Sequence, residues 1–259
     1  MSNRFDSLDE HYKPIDIFDK TSILLYWLIF VFSLVILYVK DVSISNIISS
    51  IFILLTLSFS ITNNILKIYL IPRIENKRRV HLLSNSLGVR LDHEKTYGYY
   101  NNGIDPSILR LGANVFENSL FAKTVVSKML FKERIKMVIY TTIFLASILY
   151  KGFDLSIVAI IAQTLFSGEI ISKWLYMEYL RCENERIFEN MNNIFLSYVD
   201  NKKVEFQAQI IANLVRYESI KAYCGIKQSS KIFSEINKET SIKWEEIKRD
   251  LKVDEYVDL

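Results

Sequence analysis

Residues Thr21 to Val39 carry no charge over 19 positions, and after Lys40-Asp41 a second uncharged run of 25 extends from Val42 to Leu66. At 1.5 Å per residue the first run reaches roughly 28 Å as a helix, about one hydrocarbon core. Thirteen of its residues are Ile, Leu, Val or Phe, which together favour insertion by roughly 4 to 8 kcal/mol. A cleavable signal peptide fits poorly. The first 20 residues mix three cations with five acids, and Val39-Lys40-Asp41-Val42 is no small-residue cleavage site. The two runs therefore predict a transmembrane hairpin, residues 21–66, after a short segment 1–20.

Two weaker apolar runs follow. Met137 to Tyr150 has 14 uncharged residues, and Leu155 to Ser172 contains Gln163 and Glu169. Alone the first is too short to tell a span from a buried helix. The Lys151-Gly152-Phe153-Asp154 turn between them makes a second hairpin over 137–172. The alternative is two spans plus a buried helical hairpin. With only 7 Gly and 3 Pro in 259 residues, a strand-rich fold is disfavoured. The expected class is an all-α membrane protein: four transmembrane helices in two hairpins with a cytoplasmic helical domain, formed by 67–136 and the tail 173–259. Thirty of the 32 Lys and Arg lie outside the two short turns. By the positive-inside rule this predicts both termini and the middle segment on the cytoplasmic side of the membrane, which the resemblance described below implies is a bacterial inner membrane.

Within the cytoplasmic part, Val80, Leu83, Leu87 and Leu91 recur at three- and four-residue steps and predict an amphipathic helix. Pro72 is expected to kink the extension of the second span. Pro106-Ser107-Ile108 opens a helix whose apolar face holds Leu109, Ala113, Phe116, Leu120 and Val125. In the tail, Val204 to Cys224 ends at Gly225, a C-cap. Ser230 to Asp254 repeats Ile232, Ile236, Ile242 and Ile247, as a solvated amphipathic helix or a self-assembly coil would.

Enzyme chemistry finds little support. There is no glycine-rich phosphate loop, no zinc motif and no nucleophile elbow. Asp92-His93-Glu94 holds three metal-ligand types, but adjacent residues point in different directions, so no metal or other cofactor is expected. Lys77-Arg78-Arg79 follows the second span, where cations attract anionic headgroups at about 1 kcal/mol each. Combined with Arg90, Tyr97, Tyr99 and Tyr100, the same cations could hold a nucleotide's phosphates while the rings stack on its base. On the second span, Asn46, Ser49, Ser50, Thr56, Ser60, Asn63 and Asn64 fall on one side of a helical wheel, opposite Ile48, Ile51, Leu55, Phe59 and Leu66; Ile53, Leu57, Ser58 and Thr62 break the pattern. Such a stripe is packing glue between helices or a water-facing wall in an oligomer. Gln163 and Glu169 are further pore-lining candidates, although Glu169 also suits an i,i+4 pair with Lys173.

The segments KRRVHLLSNSLGVRL, GYYNN and VFENSLFAKTVVSKML, set in this order of hairpins and cytoplasmic segments, resemble the SMODS-associated four-transmembrane effectors of bacterial anti-phage signalling. The resemblance implies a non-enzymatic effector that disrupts the inner membrane on a cyclic nucleotide signal or through a partner sensor. Its expected partners are the lipid bilayer and further copies of itself, with no nucleic acid polymer. The rival readings are a membrane anchor or assembly partner, and a small transporter subunit.

Overall fold

The computed structural model describes residues 5–94, 96–97, 103–149, 157–160, 162, 170–198 and 202–253. Among them the chain is helical, apart from one antiparallel pairing of β1 (Phe5–Asp6) with β2 (Thr96–Tyr97). It divides into two compact units. One comprises residues 11–72 and 132–175; the other comprises 1–10, 73–131 and 176–259.

The first of these units holds α1 (Lys13–Tyr38) and α2 (Val42–Asn64). α1 starts upstream of the uncharged run because Pro14 sits in its first turn, where its missing N–H costs nothing. α2 starts where the Asp41 carboxylate accepts the Ile44 N–H at 3.0 Å. The two helices pack along each other, with the Tyr26 and Phe59 rings 6.2 Å apart. Most of their remaining apolar side chains face outward: Leu54 is 63% exposed, and Leu24, Val31 and Ile47 are similar. No residue of the most apolar stretch of the second helix is buried. Both helices are long and apolar enough to cross a membrane.

Around Pro72 the helix changes its winding without a break. A π-helical turn, Ile65–Leu70, precedes Pro72, and the helix then continues as α3 (Ile71–Leu87). Proline cannot donate to the carbonyl four residues back, and its ring crowds that carbonyl. The wider π turn accommodates this just upstream.

The cored unit begins with the rest of α3, which stops at Gly88. That residue has φ +66°, and a Cβ there would lie 2.8 Å from Pro106. The stop corrects the predicted helical face. Leu91 falls outside the helix and is exposed, Val80, Leu83 and Leu87 are only half-buried, and Ile74, His81, Leu82 and Ser86 form the buried side.

α4 (Ile108–Leu149) is one continuous helix through the third apolar run. Ser107 caps it, its hydroxyl accepting the Arg110 N–H at 3.2 Å. Leu109, Ala113, Phe116, Leu120 and Val125 are all buried, as their spacing predicts. Around Phe116 gather Phe188 and Phe195 of α5 (Ile170–Leu196) at 5.0 and 5.7 Å, and Trp244 of α7 (Ser230–Asp250) at 5.3 Å. α6 (Lys203–Cys224) crosses α4 closely at Gly112, where a Cβ would lie 2.7 Å from Ile210. It ends at Gly225, φ +55°, as predicted.

α7 departs from its expected stripe. Ile236, Thr240 and Trp244 are buried while Ile242 is exposed, so the inward face is spent on this unit's own core. The second turn at Lys151–Asp154, Gln163, Glu169, Tyr99 and Tyr100 lie outside the described residues.

Candidate functional site

The predicted cation cluster is drawn into a network of acids. The N-terminal segment lies against α3 and the loop after it: Ser7 donates to Glu94 at 2.7 Å, Lys77 donates to the other Glu94 oxygen at 3.1 Å, and Arg78 donates to Asp9 at 3.1 Å. Leu8, between these contacts in sequence, is fully buried. The β1–β2 pairing sets Phe5 across from Tyr97 and Asp6 across from Thr96. Buried His81 clamps the same loop, with Nδ1 3.0 Å from Asp92 and Nε2 2.8 Å from Thr96. Residues 5–10 thus form a strap over the loop residues 88–94 and 96–97, and the chain passes from the strap directly into α1.

Further along α3 the ion pairs run to α6. Arg79 donates to Glu218 at 3.2 Å, and Lys221 lies 2.8 Å from Glu75 and 3.7 Å from Glu218. Burial opposes the Lys221 charge, but Glu75, Tyr217 and Glu218 around it outweigh that and hold the ammonium well above its usual range. A second buried carboxylate, Glu183 on α5, is gripped by Arg216 at 2.6 and 3.0 Å and by Arg186. Burial would raise its pKa, yet these hydrogen bonds and charges lower it. Beside it the buried Cys224 thiol is pushed up to about 11 by burial and by Glu183, so it is inert at neutral pH.

Arg90 stands apart from these pairs. It is exposed, and among the described residues it has no ion-pair partner. It lines an open polar depression of about 400 Å³ with Ser84, Gly88, Asp92, His93 and Glu94. The predicted ligand set is therefore split. Arg90 is accessible, while Arg78 and Arg79 are matched by carboxylates that an anion would have to displace. Tyr97 lies in β2, and Tyr99 and Tyr100 lie outside the described residues. Of the Asp92-His93-Glu94 trio, Asp92 holds His81, Glu94 holds the strap and Lys77, and His93 is exposed. Among the described residues, no group of three or more His, Cys, Asp or Glu is arranged to hold a metal.

The second region of interest is the polar stripe of α2. Ile48, Leu55 and Phe59 are half-covered and Leu66 is buried, but Ile51 of the same predicted side is exposed; Asn46, Ser50, Thr56, Ser60 and Asn64 are exposed, and Ser49 and Asn63 are half-buried at the margin of the packing face. Several polar groups are satisfied by the helix itself. Ser50 donates to the Asn46 carbonyl at 2.8 Å, Thr56 to the Phe52 carbonyl at 2.9 Å, and the Asn64 amide to the Ser60 carbonyl at 2.8 Å. Donors returned to their own backbone lower the cost of placing them in an apolar medium, while their oxygens stay free to accept.

The chain matches no family model, no curated protein and no solved structure.

The sequence did not disclose the strap, the Glu75–Lys221–Glu218 group or the Glu183 clamp. The residues they join are far apart in the chain, such as Asp9 with Arg78 and Arg79 with Glu218. Local charge patterning reports only neighbours on one helix.

Proposed function

We propose that this chain is a non-enzymatic inner-membrane effector of anti-phage defence. On a cytoplasmic signal it assembles into oligomers and permeabilises the bilayer. The topology proposed is four spans, over 21–66 and 137–172, with both termini and the helical part cytoplasmic. The observation that carries the reading is the polar stripe of α2. It lies within a long apolar helix and flanks its packing face, with Asn46, Thr56 and Ser60 exposed and Ser49 and Asn63 half-buried. One helix cannot enclose water, so a conducting path needs several copies, with Asn46, Ser49, Thr56, Ser60 and Asn63 turned inward and Gln163 and Glu169 as further candidates.

The cue is an anion, a cyclic nucleotide in the resemblance noted above, or a partner sensor. An anion drawn to Arg90 and competing with Asp9 for Arg78 would loosen the strap. Because the strap continues into α1, its release is the simplest route from the loop to the membrane. Each charge-assisted contact to phosphate contributes about 1.5 to 3 kcal/mol, enough to compete with an exposed carboxylate.

The test is the combined Ser49→Leu, Thr56→Leu and Ser60→Leu variant, read by dye leakage and cross-linking in membranes. Leakage should disappear while expression and cross-linked oligomers persist. Loss of oligomers together with leakage would favour packing glue, as in an anchor protein. A variant that stays oligomeric and leaks like the parent removes α2 from the path.

A further inference from the structure

Buried His81 holds two side chains at once. Its Nδ1 is 3.0 Å from the Asp92 carboxylate, and its Nε2 is 2.8 Å from the Thr96 hydroxyl. A carboxylate only accepts, so the Asp92 contact assigns the ring N–H to Nδ1. Nε2 then offers a lone pair, and the Thr96 hydroxyl donates to it. A tie between helix and loop needs only the Asp92 bond; the second bond gives an alcohol a base. Carboxylate, imidazole and hydroxyl in this order form the arrangement in which a base draws the proton from an oxygen nucleophile while a third group fixes the base.

The three residues come from three segments of one unit. His81 lies on the buried side of α3, Asp92 in the loop after Gly88, and Thr96 in β2, whose pairing with β1 sets its backbone across from Asp6. The imidazole is bonded at both nitrogens and thereby fixed in orientation. Thr96 is only half-buried, so the residue is open to a reagent from solvent. Asp92 also lines the open polar depression that holds the exposed Arg90 and His93. These give the anionic part of a donor a place to bind beside the base.

We propose that Thr96 is an acyl-acceptor site: its hydroxyl takes an acyl group from an activated ester or thioester, with His81 as general base and Asp92 positioning the ring. Oγ1 attacks the carbonyl carbon and its proton passes to Nε2. The Oγ1–carbon bond forms, and the bond from that carbon to the ester oxygen or thioester sulfur breaks. The leaving group takes the proton from Nε2, so the ring returns to its starting form and nothing is oxidised or reduced. This is a single transfer onto the chain, not a turnover, and it goes beyond the proposed function without resting on it. Once esterified, Thr96 no longer donates to His81, and the loop loses one of the bonds that hold it.

The probe is p-nitrophenyl acetate, given to the purified full chain, with acetyl groups followed on its peptides by mass spectrometry over time. Ser234 on α7 is the internal reference, an exposed hydroxyl that donates to the Ser230 carbonyl at 3.0 Å instead of to a base. Thr96 should acetylate at least about 100-fold faster than Ser234, as a positioned general base allows. Thr96→Ser should keep the reaction at that position. Asp92→Asn should slow it by at least about tenfold, because an amide can donate to Nδ1 and leave the proton on Nε2, where no base remains. It is preferred to a change at buried His81, which puts the packing of α3 at risk. Thr96 reacting no faster than Ser234 in the parent chain overturns the proposal. So does an Asp92→Asn variant that keeps the parent rate, or a Thr96→Ser variant that no longer reacts. The readout is independent of leakage, so acetylation without leakage counts against the proposed function alone, and leakage without acetylation against this site alone.

Discussion

The two units of the chain solve opposite solvation problems with similar helices. Around Phe116, apolar side chains turn inward, and the buried charges Glu183, Glu218 and Lys221 are each matched by a partner. Along α1 and α2, apolar side chains turn outward, ionic groups are missing from the uncharged runs, and hydroxyls bond their own helix. In the cored unit, where charges are buried among apolar side chains, an unpaired one is the main hazard. In the unit of α1 and α2 the outward surface is compatible with hydrocarbon, where an unsatisfied backbone group would be the hazard and helices remove it. Exposure therefore has two meanings in one molecule: Leu54 and Leu196 are equally exposed, 63% and 64%, yet they need not face the same medium.

The contrast can be broken most severely at the centre of the cored unit. Phe116→Ala removes a ring in contact with three other aromatic residues. It should cost about 3–5 kcal/mol in denaturant unfolding of that unit, with α1 and α2 still extracted with membranes. Simultaneous loss of membrane association would show that the two units do not fold separately.

A smaller effect tests the meaning of exposure. Leu54→Arg should oppose integration by about 2.5–3.5 kcal/mol, seen as protein released by carbonate extraction. Leu196→Arg, at the same fractional exposure, should change stability by no more than about 0.5 kcal/mol. Equal tolerance at both sites would mean that α2 faces water.

The smallest effect concerns pH. Half-buried Glu117 on α4 has its pKa raised to about 7, chiefly by burial and then by Glu245, with Lys248 acting in the opposite sense. Below the ordinary value of 4.5 the carboxyl is protonated in both folded and unfolded chains and costs nothing. As pH rises from 4.5 towards 7 the unfolded chain ionises first and stability falls; above 7 the whole penalty applies. At about 1.36 kcal/mol per unit, less the burial cost of an amide, Glu117→Gln should stabilise the cored unit by about 1–2 kcal/mol at pH 8 and by much less at pH 5. Thermal melts at the two values check this, and an equal gain at both would show that Glu117 is not held protonated.

What was legible in the sequence was whatever depends on one helix at a time. The uncharged runs, the turn at Lys40-Asp41, the α4 face from Leu109 to Val125 and the stop at Gly225 all follow from spacing, length or backbone freedom. The α3 and α7 faces were misread for a related reason. Periodicity finds a row of Leu or Ile, but Leu91 lies beyond the break at Gly88, and a single Trp244 outweighs the isoleucines because its ring fits against Phe116. The candidate ligand group was half legible. Arg78, Arg79 and Arg90 are near one another in sequence, but which of them are already neutralised depends on Asp9 and Glu218.

By itself, then, the sequence determined that the chain is helical and that two of its helices are long and apolar enough for a bilayer. Both properties are sums over consecutive residues. Only the tertiary structure decided which charges are paired, that residues 5–10 strap the loop after α3, and that the polar stripe of α2 flanks its packing face. Each of these depends on which distant segment occupies the space beside a given helix, and packing, not local propensity, fixes that choice.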